Sequence, residues 1–397
     1  MKFLQKKTFI AVLSFCLTLC LHVVSSENSC NSDDGKACGK SETVSLPGHW
    51  PSSYCKVTNV MFHSGNQIIK LNGDVHDLDK CFKVQDIWKF ESRTDYQELN
   101  SFACDQVFTR GHFFTMYYFH GSNYFHLHYD TLIPLYVALH QQQLKHTQNK
   151  EVTLLPSVEA TRGEGIDWNT DAFMDYESYW MQMLMTVSKS HRVLPLDRRL
   201  TAINKTLCFK EAFFGTPRVN FSDSSLLHSY SNFMKKVLGV ENVALDTKKK
   251  PKIGLIHRDG RRKILNEDQL IRSVESFATV ELTDFSTLSV KEQIQKVQEY
   301  NVLIGMNGAG LINGLFLPKT SVAVQLVPYK AQLNVNEYAN LLKARGPYLE
   351  WHNSHPELNH PAPDDPFKNA SDTVVDVNEF VDMVSKALKL HKAQSES

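Results

Sequence analysis

The chain has 397 residues, long enough for about two domains and a sizeable buried core. Lysine plus arginine and aspartate plus glutamate each number 43, so the formal net charge is zero, which speaks against a general nucleic-acid binder with its basic excess. With 42% hydrophobic and 22% charged residues the composition is that of a globular protein; disordered, collagen-like, coiled-coil and multispan membrane classes are excluded.

Lys2, Lys6 and Lys7 precede an apolar run from Phe9 to Val24, which Ser25 and Ser26 follow. A positive start, an apolar stretch and small residues make residues 1–26 a secretory signal peptide. A signal anchor stands behind it as the alternative, since the run falls slightly short of the roughly 17–25 apolar residues needed to cross a membrane. Both readings put the body in the lumen of the endoplasmic reticulum or Golgi, or outside the cell, with membrane contact only if the segment stays uncleaved. Of the eight cysteines, Cys16 and Cys20 lie inside the apolar run. The other six, Cys30, Cys38, Cys55, Cys81, Cys104 and Cys208, suit disulfides of open connectivity, since no CxxC pair points to zinc. Asn204, Asn220 and Asn369 each begin an N-glycosylation sequon, which fits the same compartment.

Residues 27–57 are polar and cysteine-bearing, and read as a disulfide-tied leading segment. Strands are expected near 57–62, 67–71, 151–155 and 206–209, and helices near 123–143 and 171–188, within a first domain of residues 58–247. Lys248-Lys249-Lys250-Pro251-Lys252 reads as a solvated loop and a domain boundary.

From Lys252 onward short apolar runs alternate with amphipathic segments. Lys252–Arg258 is a strand, and Asn266 caps a helix with Glu267 and Asp268 in its first turn and Leu270, Ile271, Val274 and Phe277 on one face. Thr279–Asp284 is a strand, and Ser289-Val-Lys-Glu292 is a capping box that opens a helix. Asn301–Met306 is a strand, Gly308–Phe316 a short helix, and Ser321–Val327 another strand. Such alternation with short connections predicts a parallel sheet, a Rossmann-like domain of residues 248–352. Residues 353–366 form a loop, and Val374–Leu390 a packing helix that completes the 353–397 segment.

Two turns of this domain point to a ligand. Ile304-Gly-Met-Asn-Gly-Ala-Gly310 joins a buried strand to a short helix, where exposed N–H groups and small residues let a phosphate approach; close helix–strand packing explains the glycines equally well. His257-Arg258-Asp-Gly-Arg-Arg262 is a basic turn at the same sheet edge, where Arg258 and Arg262 suit a diphosphate. Gln325 lies on the next strand, where a side chain can meet a ribose.

These stretches, KIGLIHRDGRRKILNEDQL and NVLIGMNGAGLINGLFLPKTSVAVQLVPY, resemble the signature region of glycosyltransferase family 61. The resemblance is good from about 250 to 355 and returns at Asn123–Tyr136. It implies an α/β fold of GT-B type, two Rossmann-like domains facing a cleft, with the second holding the nucleotide. It also implies inverting transfer of a sugar, N-acetylglucosamine first, from a UDP donor to a glycoprotein. The favoured acceptor is O-linked mannose, with a Ser or Thr of an EGF-like domain, or a glycan, as the alternative. No metal and no cofactor is expected, the UDP-sugar being a substrate. Arg258, Arg262, Asn266, Asn307, Gly308, Ala309, Gly310 and Gln325 form the implied donor side. The family's His before Gly-Ala is Asn307 here, its Glu near the strand end is Gln325, and its Gly after Phe-x-Pro gives way to Lys319-Thr320. These departures leave open a catalytically silent member that binds a glycan or assists another enzyme.

In His120–Tyr136, Asn123 can cap a helix that sets His126 and Asp130 on one face at i,i+4. His126, His128 and Asp130 can also be read as zinc ligands, but with no further ligand pair the metal reading is not preferred; His128 reads equally as a buried, satisfied histidine. The segment resembles the family's Asn-x-x-His-x-x-x-Asp-x-Leu-x-Pro-Leu helix, which lines the cleft on the acceptor side. Inverting transfer needs a base for the acceptor hydroxyl. Asp130 is the leading candidate and His126 the second, with Pro134 shaping the helix.

Overall fold

The computed structural model describes residues 43–46, 54–63, 68–72, 89–93, 104–108, 112–117, 123–142, 153–158, 179–188, 192–193, 204–215, 217–246, 248–332, 334–361 and 371–396. The N-terminal segment, Cys30, Cys38, Cys81 and Asn369 lie outside them.

Nine strands upstream of the lysine run form one mixed sheet: β1 (Thr43–Leu46), β2 (Tyr54–His63), β3 (Ile68–Asn72), β4 (Lys89–Arg93), β5 (Gln106–Phe108), β6 (His112–Tyr117), β7 (Thr153–Val158), β8 (Arg192–Val193) and β9 (Thr206–Phe214). The order β4-β3-β2-β9-β6-β7-β8 runs through it, with β1 on β2 and β5 on β9. β1, β3 and β9 pair antiparallel with β2, whereas β6, β7 and β8 pair parallel. Of the cysteine pairings left open by the sequence, one is Cys104–Cys208, which ties the residue pair before β5 to β9; Cys55, wholly buried on β2, is also disulfide-bonded.

The helix expected near 123–143 is a continuous helical run, α1, made of Tyr124–His126, a π-helical stretch Leu127–Leu132, an α turn Ile133–Tyr136 and a second π-helical stretch Val137–Gln142. Asn123 opens it by accepting the Phe125 N–H at 3.0 Å. Pro134 has no N–H to donate, and the turn before it is wound wide rather than α. α2 spans Tyr179–Ser188; residues 171–178 of the expected helix lie outside the described residues. α3 spans Ser224–Leu238, between an Asp223 cap and a left-handed Gly239 (φ 62°), which is the residue a helix end in that conformation favours.

Beyond the lysines, β10 (Lys252–Ile256), β11 (Thr279–Thr283), β12 (Val302–Met306), β13 (Val322–Val327) and β14 (Tyr348–His352) form a second sheet in the order β11-β10-β12-β13-β14. Every pairing in it is parallel, as the alternation predicts. The connecting helices are α4 (Glu267–Val274), α5 (Val290–Val297) and α6 (Val335–Arg345), with a 3-10 segment at Ala309–Phe316, and α7 (Val377–Glu396) closes the unit. The Ser289 capping box is made in both halves. α6 and β14 go beyond the expected elements, and α7 starts at Val377 because Asp376 caps it, accepting the Asn378 and Glu379 N–H groups at 2.9 Å.

Continuous apolar strands follow from burial on both faces. Ile253, Leu255, Val302, Ile304, Val322 and Val324 face Leu270 of α4 and Phe380 and Val384 of α7. Ile256, Leu303 and Ala323 face the other way, into a core shared with the 3-10 segment, α6, and the upstream helices α1, α2 and α3. The upstream helices are thereby fixed to the sheet face that carries the glycine turn.

Gly254 in β10 shows how tight this packing is. A Cβ there would overlap the Tyr300 ring, and that ring is pinned by a 2.7 Å hydrogen bond between its hydroxyl and Thr283 Oγ1. Gly254→Ala is expected to cost about 1–3 kcal/mol, read as a lower urea midpoint with an unchanged slope.

Candidate active site

A parallel sheet wound in this order has its switch point between β10 and β12, because the chain leaves β10 toward one edge and returns to β12 on the other side. The crevice lies at the carboxyl ends of those strands. The residues that follow them are His257–Arg262 and Asn307–Gly310, the two turns singled out in the sequence.

The turns touch. A Cβ on Gly308 would overlap Arg258 Nη1, so the guanidinium lies over the bare glycine backbone. Gly308 itself is extended (φ 171°, ψ 170°); it is the missing side chain, not a special dihedral, that makes room. Arg258 Nε donates to the Arg261 carbonyl at 2.9 Å, which fixes the direction of the fork. Burial lowers its pKa to about 10, and the charge of Arg262 adds to the effect. Arg262 is held with φ at 62°, a conformation a long side chain adopts at some cost. Two cations kept together in a half-buried turn suit an anion.

Neighbouring side chains brace the turn. His257 Nδ1 pairs with Glu267 Oε2 at 2.8 Å and Nε2 with Asp259 Oδ1 at 3.0 Å; the Glu267 bond leads in raising its pKa. Asn266 precedes α4 as expected, but its side chain does not cap the helix. Its amide is engaged instead with the backbone of Val375, donating to the carbonyl at 2.8 Å and accepting the N–H at 2.9 Å. Asn266 thus ties the C-terminal segment to the turn.

Asn307 is 1% exposed and its N–H donates to the Leu326 carbonyl at 2.7 Å. Ala309 opens the 3-10 segment, and a Cβ on Gly310 would press on Ile256 at 3.2 Å. Gln325 is wholly buried, level with Gly305 of the neighbouring strand, with Oε1 accepting the Tyr348 hydroxyl at 2.6 Å. It lies inside the fold beneath the crevice, not at a strand surface.

On α1, His126 Nδ1 and Asp130 Oδ2 are 2.7 Å apart, the i,i+4 pair expected from the sequence. His128 points the other way. It is fully buried, bonds to the Tyr230 hydroxyl through Nδ1 at 2.7 Å, and packs against Tyr124 and Phe316. The three side chains therefore do not gather as zinc ligands, and His128 is buried as one reading had it, but satisfied only at Nδ1, its Nε2 having no hydrogen-bond partner among the described residues. Burial lowers its pKa to about 3, so the ring is neutral.

α6 connects the two groups. The Phe125 and Tyr338 ring centroids are 4.1 Å apart, and the charges of Arg262 and Arg258 both act on the Tyr338 hydroxyl. Tyr129 stacks on Phe221 at 4.0 Å; burial first, then the charges of Glu337 and Asp130, push its hydroxyl up to about 12. The His126–Asp130 helix and the Arg258–Arg262 turn thus flank the start of α6. Tyr338, Glu337, Tyr129 and Phe221 carry no motif that marks them; only Tyr129, beside Asp130, had a neighbour to draw attention to it. Asn204 and Asn220 are both exposed.

The sequence profile of Glycosyltransferase 61 matches residues 124–324, from the first residue of α1 into β13, and so covers both groups. The chain belongs to the glycosyltransferase 61 family. It is 27% identical over 309 residues to the EGF domain-specific O-linked N-acetylglucosamine transferase of Xenopus laevis, covering 69% of this chain and 54% of that protein. The Gallus gallus counterpart is 26% identical, covering 65% and 47%. Protein O-linked-mannose beta-1,4-N-acetylglucosaminyltransferase 2 of Xenopus laevis is 25% identical, covering 63% and 43%. The chain spans about half the length of these relatives.

The buried His128 makes this family member acid-sensitive. Its folded pKa lies below the ordinary histidine value of 6.5, so the unfolded chain takes up the proton first and stability falls as pH drops from 6.5 toward 3. One such group removes about 2 kcal/mol between about pH 7 and about pH 5. Urea titrations at both pH values should show this loss in the wild type and a smaller loss in His128→Phe.

Proposed function

We propose that the protein is an inverting glycosyltransferase of GT-B type that moves N-acetylglucosamine from UDP to a hydroxyl of a glycoprotein in the secretory pathway. The observation that carries this reading is the arrangement of the His126–Asp130 pair and the Arg258–Gly308 contact on two sides of the α6 start. A carboxylate on one side and paired cations on the other are what displacement of a diphosphate by a hydroxyl requires.

In the proposed reaction Asp130 accepts the proton of the acceptor hydroxyl as that oxygen attacks the anomeric carbon. The bond from that carbon to the β-phosphate oxygen breaks, and the configuration inverts. Arg258 and Arg262, with the Gly308 to Gly310 backbone, take up the charge that develops on UDP, through donors already in position. His126, hydrogen-bonded to Asp130, holds the carboxylate in its orientation. No cofactor is assigned and activity in EDTA is expected, because the arginines meet the diphosphate charge.

The relatives with the higher identities are named for transfer to EGF domains, so a Ser or Thr of an EGF-like domain is placed ahead of O-linked mannose as acceptor. The Cys104–Cys208 disulfide and the exposed sequons at Asn204 and Asn220 support the secretory compartment.

The test uses purified protein with UDP-N-acetylglucosamine and EDTA, offering a folded EGF-like domain and an O-mannosyl peptide separately, and follows UDP release and product mass. Addition of one N-acetylhexosamine is expected, with kcat reduced by about 10²–10⁴ in Asp130→Asn and the donor KM raised in Arg258→Ala. UDP binding without turnover across acceptors and UDP-sugars would favour the silent-member reading, which the neutral Asn307 and Gln325 keep in view. Absence of UDP binding would overturn the donor site.

A further inference from the structure

We infer that His257 is a positioning residue for the donor: bonded through both ring nitrogens to carboxylates, it pins the arginine turn fully only as an imidazolium, so that donor affinity falls as the ring loses its proton. The inference rests on the reading of Arg258 and Arg262 as the diphosphate clamp.

His257 is the first residue beyond β10, and its N–H donates to the Thr283 carbonyl of β11 at 2.9 Å, so its backbone still belongs to the sheet edge. Nδ1 lies 2.8 Å from Oε2 of Glu267, the first residue of α4, and Nε2 lies 3.0 Å from Asp259 Oδ1. The first contact fastens the end of the strand to the start of the helix. The second folds Asp259 back on the residue two places before it, with Arg258 between them. The Arg258 side chain leaves this loop to lie over Gly308, its Nε donating to the Arg261 carbonyl at 2.9 Å. Its direction therefore depends on the shape of residues 257–261, which the two histidine bonds hold.

Hydrogen counting gives the protonation state. An ionised carboxylate only accepts, and a neutral imidazole carries a single N–H. Both bonds form together only when a further proton is present. It resides on the ring, because an ordinary imidazole holds its proton to a pH about two units above a carboxyl. The Glu267 bond leads in raising the histidine pKa above 6.5, with the Asp259 bond acting in the same direction; Asp268 acts on Glu267 in turn. When the proton leaves, the ring keeps its N–H for Glu267, whose side chain is 13% exposed. It then presents a lone pair to Asp259, which is 87% exposed and turns to water. The Arg258 loop is left with one tether instead of two. Because the folded value is raised, the second tether is complete below pH 6.5 and is lost as pH rises through that value.

The experiment measures binding of UDP-N-acetylglucosamine by calorimetry between about pH 6 and about pH 8.5, on the full chain without acceptor, in wild type, His257→Gln and Asp259→Asn. The diphosphate diester of this probe, unlike a terminal phosphate with its second ionisation near pH 6, has no proton to lose in that range. Wild-type affinity should fall about fivefold across it, the size of one exposed ion pair. In His257→Gln the amide donates to Glu267 but carries no charge, and binding should stay at the weaker, high-pH level throughout. In Asp259→Asn the amide offers the ring either a carbonyl or an N–H, so the tether survives loss of the proton and binding should stay at the stronger, low-pH level. A purely structural role would lower affinity or melting temperature in the variants and leave their pH slope as in the wild type. A pH-independent wild-type affinity, or a wild-type slope retained in His257→Gln, overturns the inference and leaves the donor site standing. A wild type that binds no donor overturns both. Should the glutamine variant fail to fold, a wild-type slope in Asp259→Asn overturns the inference by itself.

Discussion

Arg258 can lie across the turn after β12 only because Gly308 has no side chain. That contact joins the first strand of the parallel sheet to the strand that follows the change of winding direction, at the place where a wound sheet opens a crevice. Much of the surrounding structure keeps it in register. The Arg261 carbonyl aims the guanidinium, Asn266 and Val375 tether the end of the turn, and the Asn307 N–H pins the glycine segment to β13. Even a methyl group at 308 would displace the charge it is built around.

The crevice alone would be an anion site. What makes a two-substrate site conceivable is the core shared by α1, α3, the 3-10 segment and α6. His128 is central to it, neutral and bonded to Tyr230 of α3 while packed on Phe316 of the 3-10 segment. Its partner His126, two positions earlier, faces Asp130 on the other side of the helix. One histidine therefore anchors α1, and the one two positions before it is hydrogen-bonded to the Asp130 carboxylate. The π-helical winding between them rotates side chains relative to an ordinary α turn, and such turns recur at functional positions.

The parallel sheet was legible in the sequence because each of its signals is local. KIGLI and VAVQLV are short apolar runs, Ser289 and Glu292 form a capping box within four residues, and glycine marks the close approach at 308. The His126–Asp130 pair was legible for the same reason, since i,i+4 spacing is a property of one helix. In the mixed upstream sheet the strands expected near 57–62, 67–71, 151–155 and 206–209 are present, but their pairing was not legible, because it depends on partners as distant as β2 and β9. α6 escaped notice because Val335–Arg345 mixes polar and apolar residues without a clean stripe. Asn266 misled for a physical reason: the residue that suits a helix cap also suits a backbone tether, and only the position of Val375 decides between them.

The family departures at 307 and 325 acquire a meaning from burial. Both positions are almost wholly shielded from solvent, where an ionised side chain without a partner would carry a large desolvation cost. Asn307 and Gln325 are neutral amides, and Gln325 bonds to the neutral Tyr348 hydroxyl. The floor of the crevice is therefore uncharged at these points, and the electrostatics an anion meets there are set by Arg258 and Arg262 at its rim. On the proposed reading, a site arranged in this way discriminates by the shape and hydrogen bonding of what enters the floor, and by charge only at the diphosphate. A change of donor can, on the same reading, be made at 307 and 325 without disturbing the arginines assigned to the diphosphate.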